Sequence, residues 1–201
     1  MRYLVGAIGR AERASGLGYP EYFVEPVLPV AKTTAEYGEV GVFFARVMPT
    51  TATGRLTIFV QFTAALVLFG SKGTIEAVAA HELTHYVDLV RRLSRADIAT
   101  EERAATLHES VFADNDRLVP AGLVFSEKSL VALVGRKFKG GLADPALNKK
   151  VSDSWIGKGL PMRWVDPAEN IVKLGVGVVA TAKFDPRVLK KVTDLEKKLR
   201  Q

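Results

Sequence analysis

The chain has 201 residues, of which 48% are hydrophobic and 25% charged, with a formal net charge of +6, no cysteine and three histidines. That inventory excludes a disulfide scaffold, a cysteine-ligated zinc finger, an iron–sulfur protein and a thiol enzyme. The apolar fraction suffices at this length to bury a sizeable core, so the chain reads as folded. Asn and Gln together number five. With no Cys and many charges, that depletion of thermolabile residues points toward a thermophile.

The apolar stretch over residues 3–8 is too short for a signal peptide core and lacks a small-residue cleavage site. Residues 56–69 are the most apolar run. They are interrupted by Thr57, Gln61 and Thr63 and fall short of the ~20 residues a spanning helix needs. The expectation is a soluble, cytoplasmic protein with no membrane partner.

Residues 1–62 read mostly as strands and turns. Residues 22–30 carry Pro26 and Pro29, so a strand there is an edge or is broken. Residues 41–48 are β-branched and aromatic, with Pro49 as the stop, and residues 50–54 form a turn cluster. In residues 55–62, Leu56, Ile58, Val60 and Phe62 alternate with Thr57 and Gln61, the pattern of a half-buried strand. Residues 63–69 suit a short helix closed by Gly70.

The pattern then turns helical. Thr74 reads as an N-cap, Glu76 suits the positive end of the helix dipole, and the helix reaches about Leu93 or Ser94. After a linker, Thr100 caps a second helix that ends near Leu118, before Pro120. A third helix fits residues 127–136. Residues 138–166 have little periodicity and form a long connection. Asp166-Pro167 is a helix start, weakened downstream by Gly175 and Gly177. Asp185-Pro186 starts a last helix with an apolar seam of Val188, Val192, Leu195 and Leu199.

The informative segment is His81-Glu82-Leu83-Thr84-His85, an H-E-x-x-H sequence. At this chain's residue frequencies the bare pattern arises by chance in roughly one such chain in three hundred. Positions i and i+4 share a helix face, so two imidazoles can converge on one ion. Glu82 can accept a proton from a metal-activated water and pass it to a leaving amine. On a helical wheel Glu82 falls inside the apolar stripe of Ile75, Val78, Ala79, Tyr86, Leu89, Val90 and Leu93. A carboxylate there is costly unless paired or protonated. His81, His85 and Asp88 form a second line along the stripe's flank.

A catalytic zinc site needs three protein ligands and an open position. The extended form of the motif is absent, because Asp88 and Arg91 stand where its glycine and last histidine would be. If Thr100 starts an antiparallel return, the chain comes level with His85 near His108-Glu109. Helical phase favours His108. Glu101 and Glu102 also compete, although a helix start already accounts for acidic residues there.

The stretch V-A-A-H-E-L-T-H-Y-V-D, preceded by the strand R-L-T-I-F-V-Q-F, resembles the zincin metallopeptidases of the gluzincin type. The resemblance spans roughly residues 40–118 and is specific at the five-residue motif. It implies that His81 and His85 are zinc ligands and that Glu82 is the catalytic base. It also implies a glutamate third ligand on the next helix, for which Glu109 is the best match. Thermolysin-like enzymes carry an aspartate where this chain has Ala113. Asp88 is similar to the last residue of the H-E-x-x-H-x-x-D form in lethal-factor-like zincins, and so implies a partner that orients a ligand histidine. The resemblance further implies that a strand before the helix, residues 41–48 or 55–62, is the edge on which an extended peptide pairs.

The expected fold is α+β. A small mixed or antiparallel sheet packs on the H-E-x-x-H active-site helix and a following antiparallel helix, with a helical C-terminal extension. Residues 1–137 form a zincin-like catalytic core and residues 138–201 the extension, packed on that core. The expected function is a zinc-dependent metallopeptidase, with Zn2+ as cofactor and a peptide or protein as substrate. One alternative is a non-catalytic metal-binding protein whose cleft is blocked by the extension or a partner. The other is a nucleic-acid binder using the basic last helix, which pI and charge clustering alone support.

Overall fold

The computed structural model describes residues 1–32, 40–51, 53–95, 118–139, 141–165 and 176–199. The first element is a helix, α1 (Arg2–Ser15), which corrects the expectation that residues 1–62 are mostly strands and turns. Its buried residues Leu4, Ala7, Ile8, Ala11 and Ala14 recur at helical spacing. Alanines carry much of that stripe, and an alanine stripe gives a weak apolar signal. Gly16 ends the helix at φ 72°, where its N–H bonds the Glu12 carbonyl.

The strands are β1 (Glu21–Glu25), β2 (Leu28–Lys32), β3 (Val40–Val42), β4 (Ala45–Thr50), β5 (Thr57–Thr63) and β6 (Met162–Trp164). They form two three-stranded sheets, ordered β1-β5-β4 and β3-β2-β6. Both are mixed. β1 runs parallel to β5 and β4 antiparallel to it, while β2 pairs antiparallel with β3 and parallel with β6. The run over residues 22–30 is thus broken at Pro26 into strands of different sheets. Pro49 does not stop its strand. It lies within β4, opposite Ile58, and β4 is an edge, where a residue without an N–H is tolerated.

Next come α2 (Ala64–Phe69) and α3 (Lys72–Arg95). α2 is capped by the Thr63 side chain and closed by Gly70, as expected. At the start of α3 the cap is Ser71 and not Thr74. The Ser71 hydroxyl accepts from the Thr74 backbone N–H at 3.1 Å. The Thr74 hydroxyl instead donates to Asp144, seventy residues away. Then follow α4 (Ala121–Val124), α5 (Lys128–Lys137), α6 (Pro145–Val151), a π-helical turn (Ser152–Ile156), α7 (Val176–Ala180) and α8 (Pro186–Leu199).

α3 is the hub. On one side Ile75, Val78 and Ala79 pack with Leu4 and Ile8 of α1, Val60 and Phe62 of β5, and Leu147, Val151 and Trp155. On the other side Ala80, Leu83, Val87 and Val90 pack with Leu130 and Val134 of α5 and with Val188, Val192 and Leu195 of α8. The apolar seam of the last helix is therefore buried, apart from Leu199. Arg10 ties three helices together, donating to Glu76, Glu127 and Ser129.

The architecture is α+β. Residues on both sides of position 138 share these cores, and β6 extends the sheet of β2. Among the described residues, no helix is long and apolar enough to cross a membrane. The expected second helix falls in residues 96–117, outside the described residues.

Candidate metal centre

His81, Glu82 and His85 lie on α3, where a cleft of about 990 Å³ opens beside the helix. Residues 42–49 line the cleft, with His81, Glu82, Thr84 and His85 on the helix side. Val131 and Val134 of α5, with Val119 before α4 and Phe138 just after α5, close it on the far side. Of the two strands considered for an exposed edge, β4 is the edge that borders the cleft. β5 lies at the centre of its sheet.

Helical spacing brings the two imidazoles together. Their Nε2 atoms lie 3.0 Å apart, with the rings edge to face at a centroid distance of 4.6 Å. Two imidazole nitrogens on one tetrahedral zinc, each at about 2.0–2.1 Å, lie about 3.3 Å from each other. The observed separation is within a few tenths of that, so the pair fits two positions of such an ion.

Both histidines are held neutral, the form that ligates. Burial pushes His81 down to about 3, with a further contribution from His85. His85 falls to about 4, again mainly through burial. Asp88 opposes that shift and Arg92 adds to it.

Glu82 is buried, as its place on the wheel implies, and it forms no ion pair with a described residue. Burial alone pushes its carboxyl up to about 8. The carboxyl makes no hydrogen bond to any described residue. Its neighbour Tyr19 is half-buried, and the phenol donates to the Ala79 carbonyl at 2.8 Å. Glu82 is therefore a protonatable group on a cleft wall, with no hydrogen-bond partner among the described residues.

Asp88 makes no hydrogen bond to His85, although its charge acts on that ring. Its carboxylate is buried and turned along the helix, accepting from Arg91 at 2.7 and 2.9 Å and from Arg92 at 2.7 Å. Spacing brought Asp88 into line with the histidines. Two arginines at i+3 and i+4 draw it away.

The candidate third ligands Glu109, His108, Glu101 and Glu102 all lie in residues 96–117, outside the described residues. Among the described residues no group of three His, Cys, Asp or Glu side chains is placed to hold a metal. The described part of the centre is thus two nitrogens and one carboxyl.

Two residues at the site escaped sequence reasoning. Tyr19 backs Glu82 from the loop after α1. Phe138 stacks face to face on His81, with ring centroids 3.7 Å apart and planes 11° apart. Neither sits in a periodic pattern that points to α3. No family model matches the chain, and no curated protein or solved structure matches it.

Proposed function

We propose that this chain is a zinc-dependent metallopeptidase, a hydrolase of peptide bonds. The observation that carries the reading is a pair of neutral imidazoles with Nε2 atoms 3.0 Å apart. Beside them lies the buried residue Glu82, whose carboxyl makes no hydrogen bond to a described residue and is pushed up by burial. A carboxyl in such a place is costly for a helix of purely structural role.

In this reading His81 and His85 hold Zn2+ through Nε2, and Glu109 completes the ligand set, with His108, Glu101 and Glu102 as the alternatives. Zinc, when bound, supplies a Lewis acid that polarises the scissile carbonyl and acidifies a water toward neutrality. Glu82 takes the proton of the attacking water and delivers it to the leaving amine. Its raised pKa suits both halves of that task near neutral pH. A cation beside it favours the carboxylate and so readies the base. β4, the outer strand of its sheet among the described residues, is the strand on which an extended peptide would pair.

The test is zinc content together with peptide hydrolysis, for the wild type and for Glu82→Gln. Stoichiometric zinc in both proteins, with hydrolysis in the wild type alone, supports the reading. Hydrolysis retained in Glu82→Gln would sink the mechanism.

A second reading, a metal-binding protein without hydrolysis, has one observation in its favour. Phe138, Leu142, Arg163 and Val165, all from beyond residue 137, line the cleft. Zinc bound by the wild type with no cleavage across a diverse peptide library would favour it.

A further inference from the structure

Helix spacing alone does not orient a ligand imidazole. The i, i+4 relation brings two Cβ atoms together, but the terminal torsion of each ring stays broad. Metal-binding histidines are ordinarily fixed by a hydrogen bond from the second ring nitrogen to a carboxylate or carbonyl. His81 has no such partner among the described residues. Its ring hydrogen bond is the contact with His85 Nε2.

What the His81 ring does have is a flat apolar surface. Phe138 lies parallel to it at van der Waals distance, and His85 stands perpendicular beside it. Rotating the His81 ring out of that plane would drive its edge into the Phe138 face.

Phe138 is itself held firmly. It caps the C-terminus of α5, its backbone N–H bonding the Val134 carbonyl at 2.9 Å, and it bridges to Leu142. Asp144 then anchors the chain to α3. It accepts from Thr74 in the first turns of α3, from Lys137 Nζ at 2.7 Å, and from the Leu147 backbone N–H at 3.0 Å. Thr74 and Asp144 are both buried. Thr74 lies about two turns before His81 on the same helix. The clamp and the stack are thus two attachments of one chain segment to one helix.

We propose that Phe138 is a positioning residue for the metal pair. Clamped to α3 through Asp144, its ring holds the His81 imidazole in the orientation that presents Nε2 to His85. The proposal rests on the metal-site reading above, and it assigns to an apolar face the task usually given to a second hydrogen bond.

The test separates a flat face from mere bulk. Phe138→Leu keeps apolar volume and removes the face, whereas Phe138→Tyr keeps the face. Zinc affinity is measured by competition with a chromophoric chelator, and the melting temperature reports folding. Phe138→Leu is expected to weaken zinc binding roughly 10- to 100-fold, the range for losing a group that orients a ligand. Phe138→Tyr should restore affinity to within a few-fold of the wild type. In the metal-free wild type, proton NMR should show His81 ring signals shifted upfield by the Phe138 ring current, and the shift should vanish in Phe138→Leu.

Should Phe138→Leu fail to fold, Asp144→Asn releases the clamp instead and is expected to weaken zinc binding in the same direction. Equal zinc affinity in the wild type and Phe138→Leu overturns the positioning role and leaves the metal site standing. A wild type that takes up no zinc removes the metal site and the proposal with it. Absence of the upfield shift overturns the stack itself, whatever zinc does.

Discussion

His81 and His85 point Nε2 at each other across 3.0 Å, so in the metal-free protein one ring must donate and the other accept. Burial keeps both neutral, so that contact survives without like-charge repulsion. An ion placed between them meets two inward lone pairs once the donating ring carries its proton on Nδ1 instead. Zinc at a hundred times its dissociation constant is therefore expected to stabilise the wild type by about 2.7 kcal/mol. His81→Ala and His85→Ala should abolish that shift while still folding. Calorimetry with and without zinc measures it, and an undiminished shift in either variant would count against a two-histidine centre.

Glu82→Gln keeps the shape of the side chain and removes the base. Hydrolysis should fall by about 10²-fold or more, the usual contribution of a general base, with zinc content unchanged. Metal analysis alongside initial rates on one cleaved peptide checks both halves.

The metal-free protein should show a stability maximum near pH 6.5. Glu82 keeps its proton up to about 8 when folded, against an ordinary 4.5. As pH rises between those values the unfolded chain releases a proton that the folded chain retains, so stability falls. His81 and His85 act in the opposite direction. Below their ordinary 6.5 the unfolded chain takes up protons that the folded chain refuses until about 3 and about 4. Stability contributed by the two histidines is lost as pH falls through that window. Two groups outweigh one below 6.5, and Glu82 acts alone above it. Urea titrations from pH 5 to 8 measure the profile, and Glu82→Gln should flatten its alkaline side.

Thr74→Val removes a hydrogen-bond donor from a buried carboxylate at nearly constant volume. Leaving Asp144 one partner short should lower stability by about 1–3 kcal/mol. Denaturant unfolding gives the number, and a neutral result would mean that Lys137 and the Leu147 backbone suffice.

Gly70 lies between α2 and α3, where an added Cβ would come within 2.5 Å of the Leu66 carbonyl oxygen. Its φ of −66° is open to any residue, so the penalty is steric. Gly70→Ala is expected to cost about 1–3 kcal/mol, the range for overpacking. A melting temperature equal to the wild type would show that the α2–α3 corner can relax.

The legible parts of the chain were those whose partners are near in sequence or whose pattern is strongly periodic. The H-E-x-x-H helix, β5 and the seam of Val188, Val192 and Leu195 all belong here. So does the burial of Glu82, which followed from its neighbours one turn away. α1 is hidden because alanine, which supplies Ala7, Ala11 and Ala14 of its stripe, adds little to a hydropathy pattern. Pro49 was read as a stop because nothing local tells an edge strand from a central one. Phe138 and Asp144 were illegible for a different reason. Their partners His81 and Thr74 are more than fifty residues away, and a contact over that distance leaves no period behind. Asp144 falls in the stretch that reads as a long connection, yet it caps α6.

Because Ala80, Leu83 and Val87 of α3 pack against Val188, Val192 and Leu195 of α8, the middle of the chain depends on a segment made much later. On the ribosome α3 emerges long before residues 186–199, and until they arrive one of its apolar faces lacks its cover. The histidine pair sits on that same helix, between residues that α8 covers. A nascent chain therefore carries the motif well before it carries the completed packing around the helix that bears it.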